Sequence, residues 1–173
     1  GILRASDILC EVMIRTGLDV KKSEVHGMAQ RGGCVTSHVR YGTCVHSPIA
    51  KKGDVGILIA FEKMEAVRYA NFLKPGGIAV INDYEIVPMS VATGLAEYPE
   101  GTIEAMENNF KIIRIKAADI AMELGNPKCM NVVLFGAMVR ALGMDKVDWE
   151  EILREQLSPS ILDINLKAFN ATR

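Results

Sequence analysis

The polar side chains best suited to bind something outside the protein core are concentrated between Ser23 and Arg40, in SEVHGMAQRGGCVTSHVR. His26, Gln30 and Arg31 offer hydrogen-bond donors there, and an arginine can hold a carboxylate or phosphate through two parallel hydrogen bonds. The Gly32-Gly33 pair lacks Cβ atoms, so a ligand or another backbone can approach closely. A surface ion pair would also account for Arg31, but not for the glycines. We therefore treat these five residues as candidate contacts for a ligand or a partner chain.

Other common chemistries lack their residues in this sequence. There is no G-x-G-x-x-G dinucleotide fingerprint, P-loop lysine motif, G-x-S-x-G elbow or H-E-x-x-H helix. The four cysteines are Cys10, Cys34, Cys44 and Cys129, too scattered for local zinc or iron-sulfur ligation, and we expect reduced, buried thiols. The sequence therefore predicts no catalytic residue, metal site or cofactor site on this chain.

The other two histidines are less informative than His26. His38 and His46 have no carboxylate at ligand spacing, and we expect both to be solvated surface residues. Glu24 alternates with His26 along the chain, which places the two on one face of an extended segment. One carboxylate and one imidazole are too few to hold a metal ion.

Length, composition and charge exclude several classes of protein. The 173 residues suit a single domain over 1–173, and 49% hydrophobic content with 6% aromatic residues predicts an aliphatic core. A net charge of −1 gives no basic excess for nucleic-acid binding. The longest apolar helix candidate, Met130–Leu142, is shorter than the about 20 residues that cross a bilayer. We expect a cytoplasmic protein without nucleic-acid or membrane partners.

Hydrophobic periodicity predicts alternating helices and strands. An amphipathic helix over Ile2–Thr16 ends at Gly17, and the polar segment then joins two strands, Leu18–Lys22 and Val35–Tyr41. The continuous apolar run Val55–Phe61 is typical of a central parallel strand that is buried on both faces. The further predicted elements are a helix at Glu62–Leu73, strands at Ile78–Ile81 and Lys111–Lys116, a long loop at Tyr84–Gly101, and helices at Ala117–Leu124, Met130–Leu142, Trp149–Leu157 and Pro159–Ala171.

This alternation predicts an α/β fold with a mostly parallel, Rossmann-like sheet and flanking helices. A helix that follows Gly1 directly is unusual for such a fold. We therefore expect a first strand and a glycine-rich turn upstream of Gly1.

Several stretches resemble one protein family. SEVHGMAQRGG, followed by VTSHVRYG and SPIAKKGDVGILIAFEKMEAVRY, is similar to the small, beta subunit of indolepyruvate ferredoxin oxidoreductases, and LKPGGIAVIND and ELGNPKCMNVVLFGA extend the similarity along the chain. That subunit is related to the gamma subunits of 2-oxoacid ferredoxin oxidoreductases such as the pyruvate and ketoisovalerate enzymes. Family members usually open with a strand and a GxGGQG-like turn, of which only Gly1 is present here.

The resemblance implies a role in the oxidative decarboxylation of arylpyruvates to acyl-coenzyme A, carbon dioxide and reduced ferredoxin. Thiamine diphosphate and iron-sulfur clusters are then expected on a large partner subunit, with ferredoxin, 2-oxoacid and coenzyme A as further partners of the complex. The isolated chain is expected to be inactive and to self-associate through surface that its partner covers. Two alternatives stay open, namely a stand-alone module that binds a nucleotide or coenzyme A, and a purely structural interaction subunit.

Overall fold

The computed structural model describes residues 2–27, 34–144 and 147–172. In chain order its elements are α1 (Ile2–Arg15), β1 (Asp19–His26), β2 (Val35–Gly42), β3 (Val55–Ala60), α2 (Lys63–Tyr69), β4 (Leu73–Asn82), α3 (Met89–Ala92), α4 (Thr102–Glu107), β5 (Lys111–Ile115), α5 (Ala117–Glu123), α6 (Met130–Leu142), α7 (Trp149–Gln156) and α8 (Pro159–Asn170). Short 3₁₀ turns cover Ala70–Phe72 and Pro127–Cys129.

The described residues form two compact units. The first contains residues 2–27, 34–51 and 147–166, and the second contains residues 52–144 and 167–172. Our expectation of one domain over residues 1–173 stays a prediction.

In the first unit, α1 packs on an antiparallel hairpin. The apolar face of α1 is buried, with Val12 and Met13 fully inaccessible, and the helix contacts β1, β2 and α7. Gly17 has a φ of 83°, a left-handed conformation that glycine adopts without strain, and it ends the helix as predicted. Arg15 bonds Glu155 of α7 at 2.6 Å. Both strands predicted on either side of the polar segment are present, and β1 continues four residues beyond the predicted end at Lys22, to His26.

In the second unit, a parallel sheet runs in the order β3-β4-β5. Ala79 and Ile81 of β4 share a buried cluster with residues of α2 and α4. The alternate residue Asn82 contacts Met130 at the start of α6, so helices cover both faces. The predicted α/β class, with a parallel sheet flanked by helices, is confirmed.

The structure corrects two details of this sheet. Val55–Phe61 was predicted to be central, but among the described strands β3 pairs with β4 alone and is only partly buried. The predicted helix Glu62–Leu73 ends at Tyr69, and β4 begins at Leu73, which pairs with Val55. A register shift then occupies the Lys74–Gly77 region, where Gly76 has a φ of 69°. The strand was predicted to begin only at Ile78, because a glycine-containing irregularity inside a strand looks like a strand boundary.

The helices toward the end of the chain mostly match expectation. α6 has the predicted bounds, and its residues Val133 to Val139 are all buried. Asp148 accepts a hydrogen bond from the Glu151 N–H at 3.0 Å, as the predicted capping arrangement requires. α4 was not predicted, because six residues give too little apolar periodicity. Among the described helices, none combines the length and apolar composition that a membrane crossing requires.

Candidate functional site

The candidate contact residues lie in and beside the connection between β1 and β2. The paired strands run from Asp19 opposite Gly42 to His26 opposite Val35, and the Gly27 N–H donates to the Cys34 carbonyl at 2.8 Å. His26 is therefore the last residue of β1 and is exposed. Gln30, Arg31, Gly32 and Gly33 lie outside the described residues.

A row of charged groups on one face of β1 leads to His26. Lys22 Nζ lies 2.5 Å from Glu24 Oε1 and also contacts Asp7 of α1. Glu24 Oε2 lies 3.9 Å from His26 Nε2, too far for a hydrogen bond but close enough for attraction when the imidazole is protonated. The structure thus brings Glu24 and His26 together, as their alternation predicts, and adds Lys22 and Asp7 to the same row.

Two pKa shifts describe this row. Hydrogen bonds to Asp7 and then to Glu24 raise the pKa of Lys22, so its amine stays charged at neutral pH. Burial raises the pKa of the nearby Cys10 thiol, although the positive charge of Lys22 opposes that shift. Cys10 is therefore protonated at neutral pH, which makes it a poor nucleophile.

The opposite face of the hairpin is covered by the segment that follows β2. His38 Nδ1 accepts a hydrogen bond from the Ala50 N–H at 3.1 Å, and Arg40 donates to the Ser47 carbonyl at 3.2 Å. The expectation that His38 is solvated is therefore wrong, because it is half-buried beneath this segment. His46 is exposed, as expected, with its Nε2 3.6 Å from Cys44 Sγ. The histidines do not converge, since His26 and His38 lie on opposite faces.

The four cysteines all fall within the described ranges, and all are thiols. Cys129 is buried as expected, whereas Cys34 and Cys44 are exposed, so the expectation of burial is wrong for those two. They lie just outside the two ends of β2. In the described part of the chain, no group of three or more His, Cys, Asp or Glu residues is placed to hold a metal ion.

A second polar group, which was not singled out from the sequence, lies after the carboxyl ends of β3 and β4. The carboxylate of Glu62 is buried and accepts hydrogen bonds from the Glu65 N–H at 3.0 Å, the Ile86 N–H at 3.4 Å and the Tyr98 hydroxyl. Burial, followed by the hydrogen bond to Glu62, raises the pKa of Tyr98. Both ends of the loop after β4 are thus attached to one carboxylate.

Asn82 lies next to this group at the end of β4. It is fully buried, donates to the Phe61 carbonyl at 3.2 Å, and accepts from the Ala117 N–H at 3.1 Å. It therefore connects the ends of β3 and β4 to the start of α5. Polar residues directly after parallel strands could have indicated this position, since ligands of open α/β sheets bind near those strand ends.

Comparison with known proteins identifies the family of this chain. The family model described as pyruvate ferredoxin/flavodoxin oxidoreductase matches residues 1–173. The chain belongs to this family. Within it, a protein of Thermococcus kodakarensis named indolepyruvate oxidoreductase subunit IorB is 38% identical, over 98% of this chain and 87% of the relative. The resemblance found in the sequence is thereby confirmed.

Solved structures share the fold of this pyruvate ferredoxin/flavodoxin oxidoreductase family member. The gamma subunit of a keto/oxoacid ferredoxin oxidoreductase from Geobacter sulfurreducens matches with a TM-score of 0.68 at 20% identity, over 99% of this chain and 88% of that one. The 2-oxoglutarate:ferredoxin oxidoreductase of Magnetococcus marinus, with 2-oxoglutarate, coenzyme A and succinyl-CoA bound, matches with a TM-score of 0.72 at 20% identity. That match covers 99% of this chain but 28% of the longer chain.

Proposed function

We propose that this chain is the small subunit of an indolepyruvate-type 2-oxoacid:ferredoxin oxidoreductase and carries none of the cofactors of the reaction. The observation that supports this most strongly is the 38% identity to an indolepyruvate oxidoreductase subunit along nearly the whole of both chains. The relatives are named as subunits, which favours membership of a complex over a stand-alone binding module.

The reaction of that complex joins an arylpyruvate to coenzyme A. The bond between the keto carbon and the carboxylate breaks, carbon dioxide leaves, and the acyl carbon forms a thioester with the thiol of coenzyme A. Two electrons and one proton are released, and the electrons reduce two ferredoxin molecules one at a time. Thiamine diphosphate and iron-sulfur clusters supply this chemistry and belong to the larger subunit.

In this proposal the β1–β2 hairpin is the part of the chain that contacts the substrate, coenzyme A or the larger subunit. Its first strand, β1, ends at the exposed His26, which follows the charged row of Lys22 and Glu24. In this proposal His26 orders the connection, and Gln30 and Arg31 bind the substrate, coenzyme A or the larger subunit. Gly32 and Gly33 let that partner approach the backbone. An arginine that pairs with an anionic group in a desolvated contact typically contributes several kcal/mol, roughly 2–5, when its removal leaves the partner charge unpaired.

The test uses the complex that forms when the tagged chain is co-expressed with the large subunit from the same organism. Wild-type chain should co-purify with the large subunit, and the complex should reduce ferredoxin when given indolepyruvate and coenzyme A. Arg31→Ala should lower that rate at least about tenfold. Arg154→Ala is the matched control, because Arg154 is exposed on α7 and pairs with Glu150 at 3.5 Å. A normal rate with Arg31→Ala would remove Arg31 from the mechanism, and a chain that never binds the large subunit would contradict the proposed function.

A further inference from the structure

The loop after β4 exposes an unusual share of the large hydrophobic side chains. Of the eleven that are exposed among the described residues, five lie between residues 84 and 95. We call residues 84–95 the apolar loop segment, and its exposed members are Tyr84, Ile86, Val87, Met89 and Leu95. Leu95 and Met89 are 84% and 78% exposed, respectively. Single exposed hydrophobic residues are ordinary, but such clustering along a short segment marks a contact surface.

The apolar loop segment is held in place by bonds at its first residues and just beyond its last. Glu62 accepts hydrogen bonds from the Ile86 N–H and the Tyr98 hydroxyl, as described above. Lys63 adds two links, since its N–H donates to the Tyr84 carbonyl at 3.1 Å and its Nζ lies 2.5 Å from Glu85. Part of the conformational entropy that the loop would otherwise lose on binding is therefore already lost in the free chain, as in other preorganised contact loops.

Internal hydrogen bonds also order the segment. The one-turn helix α3 (Met89–Ala92) lies within it, and the Leu95 N–H donates to the Ser90 carbonyl at 2.8 Å. The two most exposed large hydrophobic side chains, Met89 and Leu95, thus flank a defined turn and do not belong to an extended tail.

The charge of this region identifies the kind of partner that fits. From residue 83 to residue 110 the sequence contains no lysine or arginine. The acidic residues of the same stretch are Asp83, Glu85, Glu97, Glu100, Glu104 and Glu107. Glu85 is paired with Lys63, and Glu104 with Arg114, but Glu97 and Glu100 have no ion pair among the described residues. A second copy of the chain, seated symmetrically, would bring these two carboxylates toward their own equivalents, which is unfavourable.

We propose that the apolar loop segment is the surface that docks this chain onto the larger subunit of the complex, in an apolar groove flanked by lysine or arginine side chains. This inference rests on the proposed function. In the Magnetococcus marinus structure the matched fold makes up 28% of one longer chain, so the rest of that chain is joined to it covalently. As the small subunit proposed above, this chain would hold its larger partner by non-covalent burial, for which a stable interface typically needs about 1,200–2,000 Å².

The first experiment compares two methionines in the co-expressed complex. Met89→Glu places a charge in the apolar loop segment, whereas Met122→Glu makes the same change at a methionine of α5 that is 66% exposed. Met89→Glu, and Leu95→Glu in parallel, should raise the dissociation constant for the large subunit about tenfold or more, with Met122→Glu near wild type. Circular dichroism of each isolated variant should match the wild-type chain, because the substituted side chains are exposed.

The second experiment tests the charge argument. Glu97→Lys combined with Glu100→Lys should slow association with the large subunit about tenfold at low salt, and the difference should shrink as salt is added. Unchanged affinity in both the Met89 and Leu95 variants would overturn the inference while leaving the proposed function intact. It would also be overturned if these variants abolished only self-association of the isolated chain. Wild-type chain that does not bind the large subunit would overturn the proposed function and this inference together.

Discussion

The hydroxyl of Tyr98 donates a hydrogen bond to the buried carboxylate of Glu62, a residue 36 positions earlier in the chain. Glu62 also caps the start of α2 and accepts the Ile86 N–H. One side chain therefore connects the end of β3, the first turn of α2 and both ends of the loop that carries the apolar loop segment. The stability of this loop depends on contacts far apart in sequence.

Removing the Tyr98 hydroxyl should destabilise the protein. Tyr98→Phe leaves the ring in place but removes a donor to a buried carboxylate, and hydrogen bonds to charged groups contribute about 1.5–3 kcal/mol. Because Tyr98 is only half-buried, we expect a loss of about 1–2 kcal/mol in the free energy of unfolding, measured in urea. Tyr84→Phe is the control, since Tyr84 is exposed. Equal stability of the two variants would contradict the assigned bond.

The same tyrosine predicts a pH dependence at alkaline pH. Burial and the bond to Glu62 raise the pKa of Tyr98, so the folded state favours its neutral form. The associated stabilisation is fully present below the usual tyrosine pKa of about 10 and is lost as the pH rises through the folded-state pKa. Above about pH 10, wild-type stability should fall more steeply than that of Tyr98→Phe. If the stabilities of the wild type and Tyr98→Phe fell in parallel with rising pH, Tyr98 would have the same pKa in the folded and unfolded states, which would contradict the prediction.

Asn82 should be sensitive even to a change that keeps the branched shape of its side chain. Asn82→Leu leaves the Ala117 N–H and the Phe61 carbonyl without their side-chain partner in a buried site. Each unsatisfied buried group costs about 1–3 kcal/mol, so we expect a loss of about 2–4 kcal/mol. Asn108→Leu, at an exposed asparagine of the same unit, should change stability by less than about 0.5 kcal/mol. A loss below about 1 kcal/mol in the free energy of unfolding for Asn82→Leu would contradict the role of Asn82 as the partner of these buried groups.

Gly136 allows close packing between two helices. A Cβ atom at this position would lie 2.2 Å from the Phe169 carbonyl oxygen of α8, so α8 would have to move. Overpacking costs about 1–3 kcal/mol and sometimes more, against about 1 kcal/mol gained from alanine's helix preference. Gly136→Ala should therefore lower the melting temperature clearly. Gly42→Ala should not, because no atom lies within 4 Å of its Cβ position. Similar melting temperatures would argue against the close approach.

Much of this fold could be predicted because its elements have strong local signals. α6 is apolar on nearly every side, Asp148 caps α7, and Gly17 ends α1, so their bounds follow from neighbouring residues. The start of β4 did not follow, because Leu73 becomes a strand residue only through its pairing with Val55. Which strand of the sheet is central is likewise decided by pairing between distant segments.

In the candidate site, too, contacts between nearby residues could be predicted and contacts between distant residues could not. The period of two correctly placed Glu24 beside His26. It could not show that Ala50 covers His38, since that bond joins residues 12 positions apart across a loop. The Glu62 and Asn82 groups were missed for a similar reason, because all of their partners except the Glu65 N–H lie 21 to 48 residues away. The roles of His26, Gln30, Arg31, Gly32 and Gly33 stay predictions.

The most direct test of the account is whether the larger subunit needs this chain. Ferredoxin reduction driven by indolepyruvate and coenzyme A should be measured for the large subunit alone, for this chain alone, and for the two together. We predict that neither subunit alone is active and that mixing or co-expressing them restores the reaction. Full activity of the large subunit alone, or an inactive mixture in which the two chains do not associate, would contradict the account.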